Sequence, residues 1–138
     1  MTVSLIDAGP IIAYFCEDDD WHLKTRSFLE GFKGQFVTTT AVITEAMWLL
    51  KADAAVQNEL LGDIARELYL IEELLPADFS HMIELNTKCS DVPADFADLS
   101  LVVVSERLCI DKIVSLDSDF DIYRRLRNKK FKRLFPKY

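Results

Sequence analysis

Four short apolar segments alternate with longer segments of helical spacing along this chain, and the alternation restricts the folds that it can adopt. The apolar segments cover residues 3–6, 36–39, 68–71 and 112–116, and their composition favours β-strands. Strands that are separated by helices pair in parallel, and the helices then cover the sheet. The sequence therefore predicts an α/β fold with a central parallel sheet.

Helical segments fill the intervals between these strands. The predicted helices cover residues 10–15, 21–32, 42–52, 58–67, 79–88, 94–108 and, after a turn, the end of 117–127. Pro10 suits a first helical turn, and Thr40 is predicted to cap the third helix. The second helix is predicted to bury its apolar side chains, namely Trp21, Leu23, Phe28, Leu29 and Phe32. Residues 131–134 are predicted to form a closing edge strand.

The length and composition fit one domain. The chain has 138 residues, half of them hydrophobic and 28% charged, which predicts a single domain over residues 1–138. No apolar stretch reaches the ~18 residues of a membrane span, and no secretory signal is recognisable, so a cytoplasmic location without membrane contact is expected. Cys16, Cys89 and Cys109 are far apart and are expected to be reduced thiols in the core.

Four acidic residues interrupt apolar stretches, where an unpaired charge is costly to bury. They are Asp7, Glu45, Asp98 and Asp117. Asp7 and Asp117 follow predicted strands, and ligand sites in open α/β sheets form at the carboxyl ends of strands. Glu45 and Asp98 fall in predicted first turns of helices, and Asp95 shares a helix face with Asp98. We expect these acids to converge, although favourable interaction with the helix dipole is an alternative reason for Asp95 and Asp98.

Convergent carboxylates indicate a particular chemistry. They repel one another and raise one another's pKa values unless a cation compensates. Oxygen ligands without a His or Cys cluster suit Mg²⁺ or Mn²⁺ rather than zinc. Such a cation can polarise a phosphoryl oxygen and orient an attacking water. Together with a basic C-terminal segment that could hold a polyanion, the acids indicate a metal-dependent nuclease. Our hypothesis is that Asp7 and Asp98 contact the metal most directly and that Glu45 and Asp117 complete the acidic site.

The C-terminal segment is strongly basic. Residues 124–138 carry eight Lys or Arg and no acid, within a chain of net charge −7, so residues 1–123 carry −15. A basic segment of this kind is either a solvated surface or a binding site for phosphate groups. The residues predicted to contact an RNA backbone are Arg124, Arg127, Lys129 and Lys130.

Five stretches resemble, in chain order, the motifs of the PIN-domain ribonucleases, in particular the VapC-like toxins of toxin–antitoxin pairs. The stretches are LIDAGPIIAYF, DDDWH, VTTTAVITEAMWLL, DVPADFADLSLVVVSERL and IVSLDSDFDIYR. The family's acids map to Asp7, Glu45, Asp98 and Asp117, with Asp95 as an auxiliary acid. Each stretch alone has little specificity, whereas the ordered set over nearly the whole chain is specific.

The resemblance implies a three-layer α/β/α domain and a Mg²⁺-dependent endoribonuclease that prefers single-stranded RNA. It also implies a homodimer and a small antitoxin partner. The chain departs from the family beside the first acid, where Ala8 and Gly9 replace the Ser or Thr of many relatives. Ser115 is an alternative source of a hydroxyl near Asp117, and Asp119 either contacts the metal or caps the next helix.

The same residues leave one alternative function open, a catalytically silent PIN-like domain that binds RNA or a protein. A receiver domain needs a paired acid after the first strand, and a haloacid-dehalogenase phosphatase needs a D-x-D motif that the chain lacks at Asp7. His22 and His81 are expected to cap helices or to be exposed rather than to act as bases, and Trp48 is expected at a core margin or an interface.

Overall fold

A computed structural model describes residues 1–88, 93–125 and 129–137 of the chain. The strands in chain order are β1 (Thr2–Ile6), β2 (Gly34–Thr39), β3 (Tyr69–Glu72), β4 (Lys112–Val114), β5 (Arg124–Arg125), β6 (Lys129–Lys130) and β7 (Lys132–Phe135). Five of them form one parallel sheet in the order β3-β2-β1-β4-β7, while β5 and β6 form a separate antiparallel ribbon.

Six helices flank the sheet in the described part of the chain. They are α1 (Ala8–Phe15), α2 (His22–Gly31), α3 (Thr40–Leu49), α4 (Ala54–Ala65), α5 (Pro76–Lys88) and α6 (Phe96–Arg107). Helix α1 packs on α2 and α3, and α6 packs on α3 and α5. The predicted α/β/α architecture around a parallel sheet is therefore confirmed, including an edge strand at the C-terminus.

The core lies where the central strands meet α6. Leu5, Ile6, Ile113 and Val114 of β1 and β4 are fully buried. Every residue from position 97 to 105 of α6 is also buried, as expected for a helix that is apolar on all sides. Because these strands and α6 are buried by packing, the positions at which the adjoining loops begin are fixed.

Polar side chains inside this core are satisfied by hydrogen bonds. The Ser100 hydroxyl donates to the Ala97 carbonyl at 2.6 Å and lies 2.7 Å from the Thr39 hydroxyl. At the other end of α6, the Arg107 guanidinium binds Glu72 at the end of β3 and Asp78 at the start of α5, at 2.7 and 3.2 Å. These bonds fix α6 relative to the sheet at both of its ends.

The predicted helix after Asp117 is wrong. A short 3-10 turn, Ser118–Asp121, is followed by the antiparallel β5–β6 ribbon. The Phe120 ring packs edge-to-face against Tyr123 and against Phe131, with centroid distances of 5.1 and 5.5 Å. Because Phe131 comes from the returning segment, this aromatic group favours a hairpin over a continued helix.

Several smaller expectations are also corrected. Thr39, rather than Thr40, caps α3, through a bond from the Val42 amide. Leu23 is 79% exposed and does not contribute to the buried side of α2. Trp48 is mainly exposed rather than at a core margin, and its alternative place at an interface stays a prediction. Cys109 is exposed and so does not lie in the core, while Cys89 lies outside the described residues.

Both histidines differ from expectation as well. His22 is buried, and its Nδ1 lies 2.7 Å from the Ala13 carbonyl oxygen, so the ring joins α1 to α2. The His81 Nε2 atom lies 2.8 Å from a carboxylate oxygen of Glu106, which joins α5 to α6. Each ring therefore has a structural partner between two helices.

In the part of the chain that the structure describes, no helix combines the length and the apolar composition that crossing a membrane requires.

Gly34 allows the first two strands to approach closely, and its replacement is expected to destabilise the fold. A Cβ atom at this position would lie 2.1 Å from the Thr2 carbonyl oxygen, so Gly34→Ala forces the backbone apart and should lower the free energy of unfolding by about 1–3 kcal/mol. Urea unfolding measures the change. Gly31→Ala is the matched control, because a Cβ there meets nothing within 4 Å; equal effects of the two variants would contradict this account.

Candidate active site

The candidate site lies where the strand order reverses. From β1 the chain adds β2 and β3 on one side and later β4 and β7 on the other. The first and last of the predicted acids, Asp7 and Asp117, follow β1 and β4, which are adjacent. Loops that leave adjacent strands in opposite directions open a crevice at their carboxyl ends.

Asp7 is held by backbone and side-chain donors from both strands' ends. Its amide donates to the Val114 carbonyl at 3.0 Å, and its Oδ1 caps α1 by accepting from the Ala8 amide at 2.8 Å. Its Oδ2 accepts from the Ser115 hydroxyl at 3.0 Å. Asp7 is only 8% exposed, and these hydrogen bonds offset part of the cost of burying its carboxyl group among apolar residues.

Ser115 connects the first acid to the last. While its hydroxyl donates to Asp7, it also accepts from the Asp117 amide at 3.0 Å. Asp117 caps the 3-10 turn, since its Oδ1 accepts from the Asp119 amide at 2.9 Å. Ser115 thus brings a hydroxyl next to both Asp7 and Asp117. The residue that caps the 3-10 turn is Asp117, and Asp119 lies within that turn.

Asp95 and Asp98 lie together at the start of α6. The Asp95 Oδ1 caps the helix by accepting from the Asp98 amide at 2.8 Å. Asp98 is buried in the first helical turn, as predicted, and its Oδ2 accepts from the Tyr123 hydroxyl at 3.2 Å. Sequence reasoning missed Tyr123, although it lies within the last of the five motif stretches, because its partner Asp98 is 25 residues away and nothing local marks the tyrosine as a donor to that acid.

Glu45 approaches the same site from α3. It lies in the second turn of that helix, not in the first as predicted, because the helix begins at Thr40. It is half-buried and, among the described residues, forms no hydrogen bond or ion pair. It borders an open groove of about 780 Å³, which also contacts Asp95 and the exposed rings of Trp48 and Phe96.

The carboxyl groups affect one another electrostatically, which shows that the fold brings them together. Burial, followed by the charges of Asp95 and Asp7, raises the pKa of Asp98 to about 7. Burial is also the main cause that raises the pKa of Asp7 to about 6, with a smaller contribution from the charge of Asp117. Burial and the charges of Asp7, Asp95 and Asp117 raise the pKa of Glu45.

The donor set fits a hard cation. Carboxylates and one hydroxyl supply only oxygen ligands, and the repulsion between the acids is the condition that a divalent cation relieves. Within the described ranges, no three His, Cys, Asp or Glu side chains already enclose a position for a metal ion. The acids that could hold one are Asp7, Glu45, Asp95, Asp98 and Asp117.

The predicted phosphate-binding residues fall only partly within the structure. Lys129 and Lys130 form β6 and are exposed. The side chain of Arg124 and the whole of Arg127 lie outside the part of the chain that is described. The β5–β6 ribbon begins directly after Tyr123, whose hydroxyl contacts Asp98, so the ribbon and the acids are connected through one residue.

Comparison with known proteins gives a consistent result. A family model described as PIN domain matches residues 4–126. The fold is similar to VapC20 of Mycobacterium tuberculosis, a toxin that cleaves the sarcin-ricin loop, with a TM-score of 0.74, 14% identity and coverage of 88% of this chain and 94% of that one. It is also similar to VapBC2 of Rickettsia felis bound to promoter DNA, with a TM-score of 0.67, 12% identity and coverage of 96% and 98%. No curated protein matches the sequence.

The raised pKa of Asp98 predicts that the metal-free protein loses stability as the pH rises. Between the pKa of an unfolded Asp and a folded value of about 7, the folded state binds more protons than the unfolded state, so stability falls with increasing pH. Asp98→Asn removes this titration. The free energy of unfolding of Asp98→Asn, taken relative to that of the wild type, should therefore increase by on the order of 2 kcal/mol from pH 5 to pH 8. Urea unfolding in EDTA measures it.

Asp18→Asn is the matched control for this experiment, because Asp18 is an exposed acid in the loop before α2. It should keep the pH dependence of the wild type. A constant difference between Asp98→Asn and the wild type across this pH range would contradict the explanation.

Proposed function

This chain belongs to the PIN-domain family, and from that premise we propose that it is a metal-dependent endoribonuclease, the toxin of a toxin–antitoxin pair. The proposal is supported most by one observation: acids from four separate segments of the chain lie around the same edge of the sheet. Ser115 bonds both Asp7 and Asp117, Asp95 caps the helical turn that holds Asp98, and Glu45 and Asp95 line one groove. The fold similarity to VapC20, a toxin that cleaves the sarcin-ricin loop, is consistent with this function.

The proposed cofactor is Mg²⁺, with Mn²⁺ as a substitute, held by Asp7 and Asp98 most directly. Glu45 and Asp117 complete the acidic site, and Asp95 is auxiliary. When bound, the cation supplies positive charge that offsets the charge developing on the phosphoryl oxygens during hydrolysis.

The protein's own contribution is orientation. The Ser115 hydroxyl and the Ala8 amide each bind one oxygen of Asp7, so its carboxylate keeps one direction as substrate enters. Glu45 has no hydrogen-bond partner among the described residues and is half-exposed, so its carboxylate is available to accept a hydrogen bond from the attacking water. Preorganised groups of this kind lower the barrier because little reorganisation accompanies the reaction.

The proposed substrate is single-stranded or structured RNA, bound in part by the basic residues of the ribbon. Phosphate contacts from Lys129, Lys130 and their neighbours Arg124 and Arg127 would position a strand without reading its sequence. The proposed site of action is the cytoplasm.

Two protein partners belong to the proposal. A small antitoxin is suggested by the similarity to a VapBC2 assembly. A homodimer is suggested by large apolar side chains that are exposed on α3, α5 and the start of α6, namely Trp48, Phe79, Ile83 and Phe96. Exposed apolar side chains that gather on one surface commonly mark a protein interface.

Removing one proposed metal ligand should abolish cleavage without unfolding the protein. Asp7→Asn and Asp98→Asn keep the shape of each side chain but remove a charge, and each should reduce the rate of RNA cleavage in Mg²⁺ at least 100-fold. Single-turnover cleavage of a labelled RNA measures the rate, with EDTA as the zero-metal reference and Asp18→Asn as the control variant.

This experiment also separates the two candidate functions. Wild-type protein that binds RNA but does not cleave it in Mg²⁺ would support the catalytically silent domain instead. Full activity of one variant would remove that residue from the mechanism.

Replacing the lysines of β6 should weaken RNA binding through lost phosphate contacts. Lys129→Ala combined with Lys130→Ala should reduce the magnitude of the slope of log affinity against log salt concentration by about 1.4, or about 0.7 for each lost contact with a single strand. Fluorescence anisotropy with the inactive Asp7→Asn variant measures binding over a range of salt concentrations. The control combines Lys33→Ala with Lys88→Ala, which removes two exposed lysines at other positions; an equal slope in both double variants would indicate a solvated surface only.

A further inference from the structure

We propose that Tyr123 is a positioning residue that orients the Asp98 carboxylate for cation binding. The inference rests on the proposed function and extends it to a residue that is not one of the family's acids. Tyr123 does not contact the reacting atoms in this proposal; it acts through Asp98.

The contact itself is specific. The Tyr123 hydroxyl donates to the Asp98 Oδ2 at 3.2 Å and lies 3.4 Å from the Pro93 carbonyl oxygen. The tyrosine is 4% exposed and Asp98 is 8% exposed, so solvent competes little for this bond. With Oδ2 engaged, Oδ1 is the oxygen of Asp98 that remains for a cation.

The tyrosine ring is itself held firmly. It packs edge-to-face on Phe120, which is completely buried, and Phe120 in turn packs on Phe131 from the returning segment. Aromatic pairs in this geometry add to the stabilisation from burial alone. The ring would pack equally well without its hydroxyl, so packing does not explain the choice of tyrosine over phenylalanine.

The position of Tyr123 also connects two acids that come from different elements. Asp117 caps the 3-10 turn Ser118–Asp121, and Tyr123 stands two residues after the end of that turn. The same short segment therefore starts at the acid that follows β4 and ends at the donor to the acid of α6. A partner that orients a ligating carboxylate commonly contributes 10–100-fold in metal affinity or activity.

The test compares two tyrosines that each donate to a carboxylate. Tyr123→Phe removes the bond to Asp98, and Tyr14→Phe removes a bond of 3.1 Å to Glu30, an exposed acid of α2. Mn²⁺ binding to the full chain is measured by electron paramagnetic resonance and by calorimetry, without RNA. Cleavage of a labelled RNA is then measured over a range of Mg²⁺ concentrations, and thermal unfolding checks that both variants are folded.

We expect Tyr123→Phe to weaken Mn²⁺ binding about tenfold and to raise the Mg²⁺ concentration for half-maximal cleavage similarly, while Tyr14→Phe matches the wild type. Mn²⁺ affinity that is unchanged or increased in folded Tyr123→Phe would overturn the inference and leave the proposed function intact. Failure of the wild type to bind Mn²⁺ would contradict the proposed function and this inference with it. If Tyr123→Phe is unfolded, the test uses protein labelled with 3-fluorotyrosine, whose hydroxyl is a stronger hydrogen-bond donor. An Mn²⁺ affinity equal to that of the unlabelled protein would then overturn the inference.

Discussion

The crowding of carboxylates at the β1–β4 edge is the constraint on which the rest of this structure depends. Burial and neighbouring negative charges raise the pKa values of Asp7 and Asp98, which means that the folded protein disfavours their charged forms. The fold must offset this free energy elsewhere, and the fully buried side chains of β1, β4 and α6 form the part of the core that does so. The site therefore has an unfavourable electrostatic free energy within a well-packed framework, which is a common property of functional sites.

Helix capping explains how acids are placed so accurately in an apolar region. Asp7 caps α1, Asp95 caps α6 and Asp117 caps the 3-10 turn. Each cap directs one carboxylate oxygen to a backbone amide, so the direction of the second oxygen follows from the backbone. Two explanations for the acid at position 95 are therefore compatible. Asp95 stabilises the N-terminus of α6, and it can also have a role in the site. The same atom that stabilises the helix also orients the carboxylate, and a single substitution will affect both.

The sequence was informative where the signal is local and failed where it depends on distant residues. Apolar segments followed by Asp7 and Asp117 predicted strands and their carboxyl ends correctly, because a buried strand and its terminal acid are neighbours in the chain. The helix predicted after Asp117 was wrong, since the segment is redirected by the packing of Phe120 on Phe131, eleven positions further on in the sequence. Tyr123 and the burial of His22 were missed for the same reason: their partners, Asp98 and Ala13, belong to other elements.

The charge distribution then suggests an order of events for the proposed reaction. Residues 1–123 carry −15 and the remaining segment is basic, so an RNA strand would be attracted to the ribbon and repelled by the acids beside it. A divalent cation at the acids would reverse the local sign of that repulsion, and productive placement of a phosphate would then require both the ribbon and the cation. Metal and RNA binding would be positively coupled by simple electrostatics, with each ligand increasing the affinity for the other. In the proposed reaction, the acidity of the domain would suppress unproductive RNA binding to the metal-free protein, and the ribbon would direct the strand that does bind toward the carboxylates.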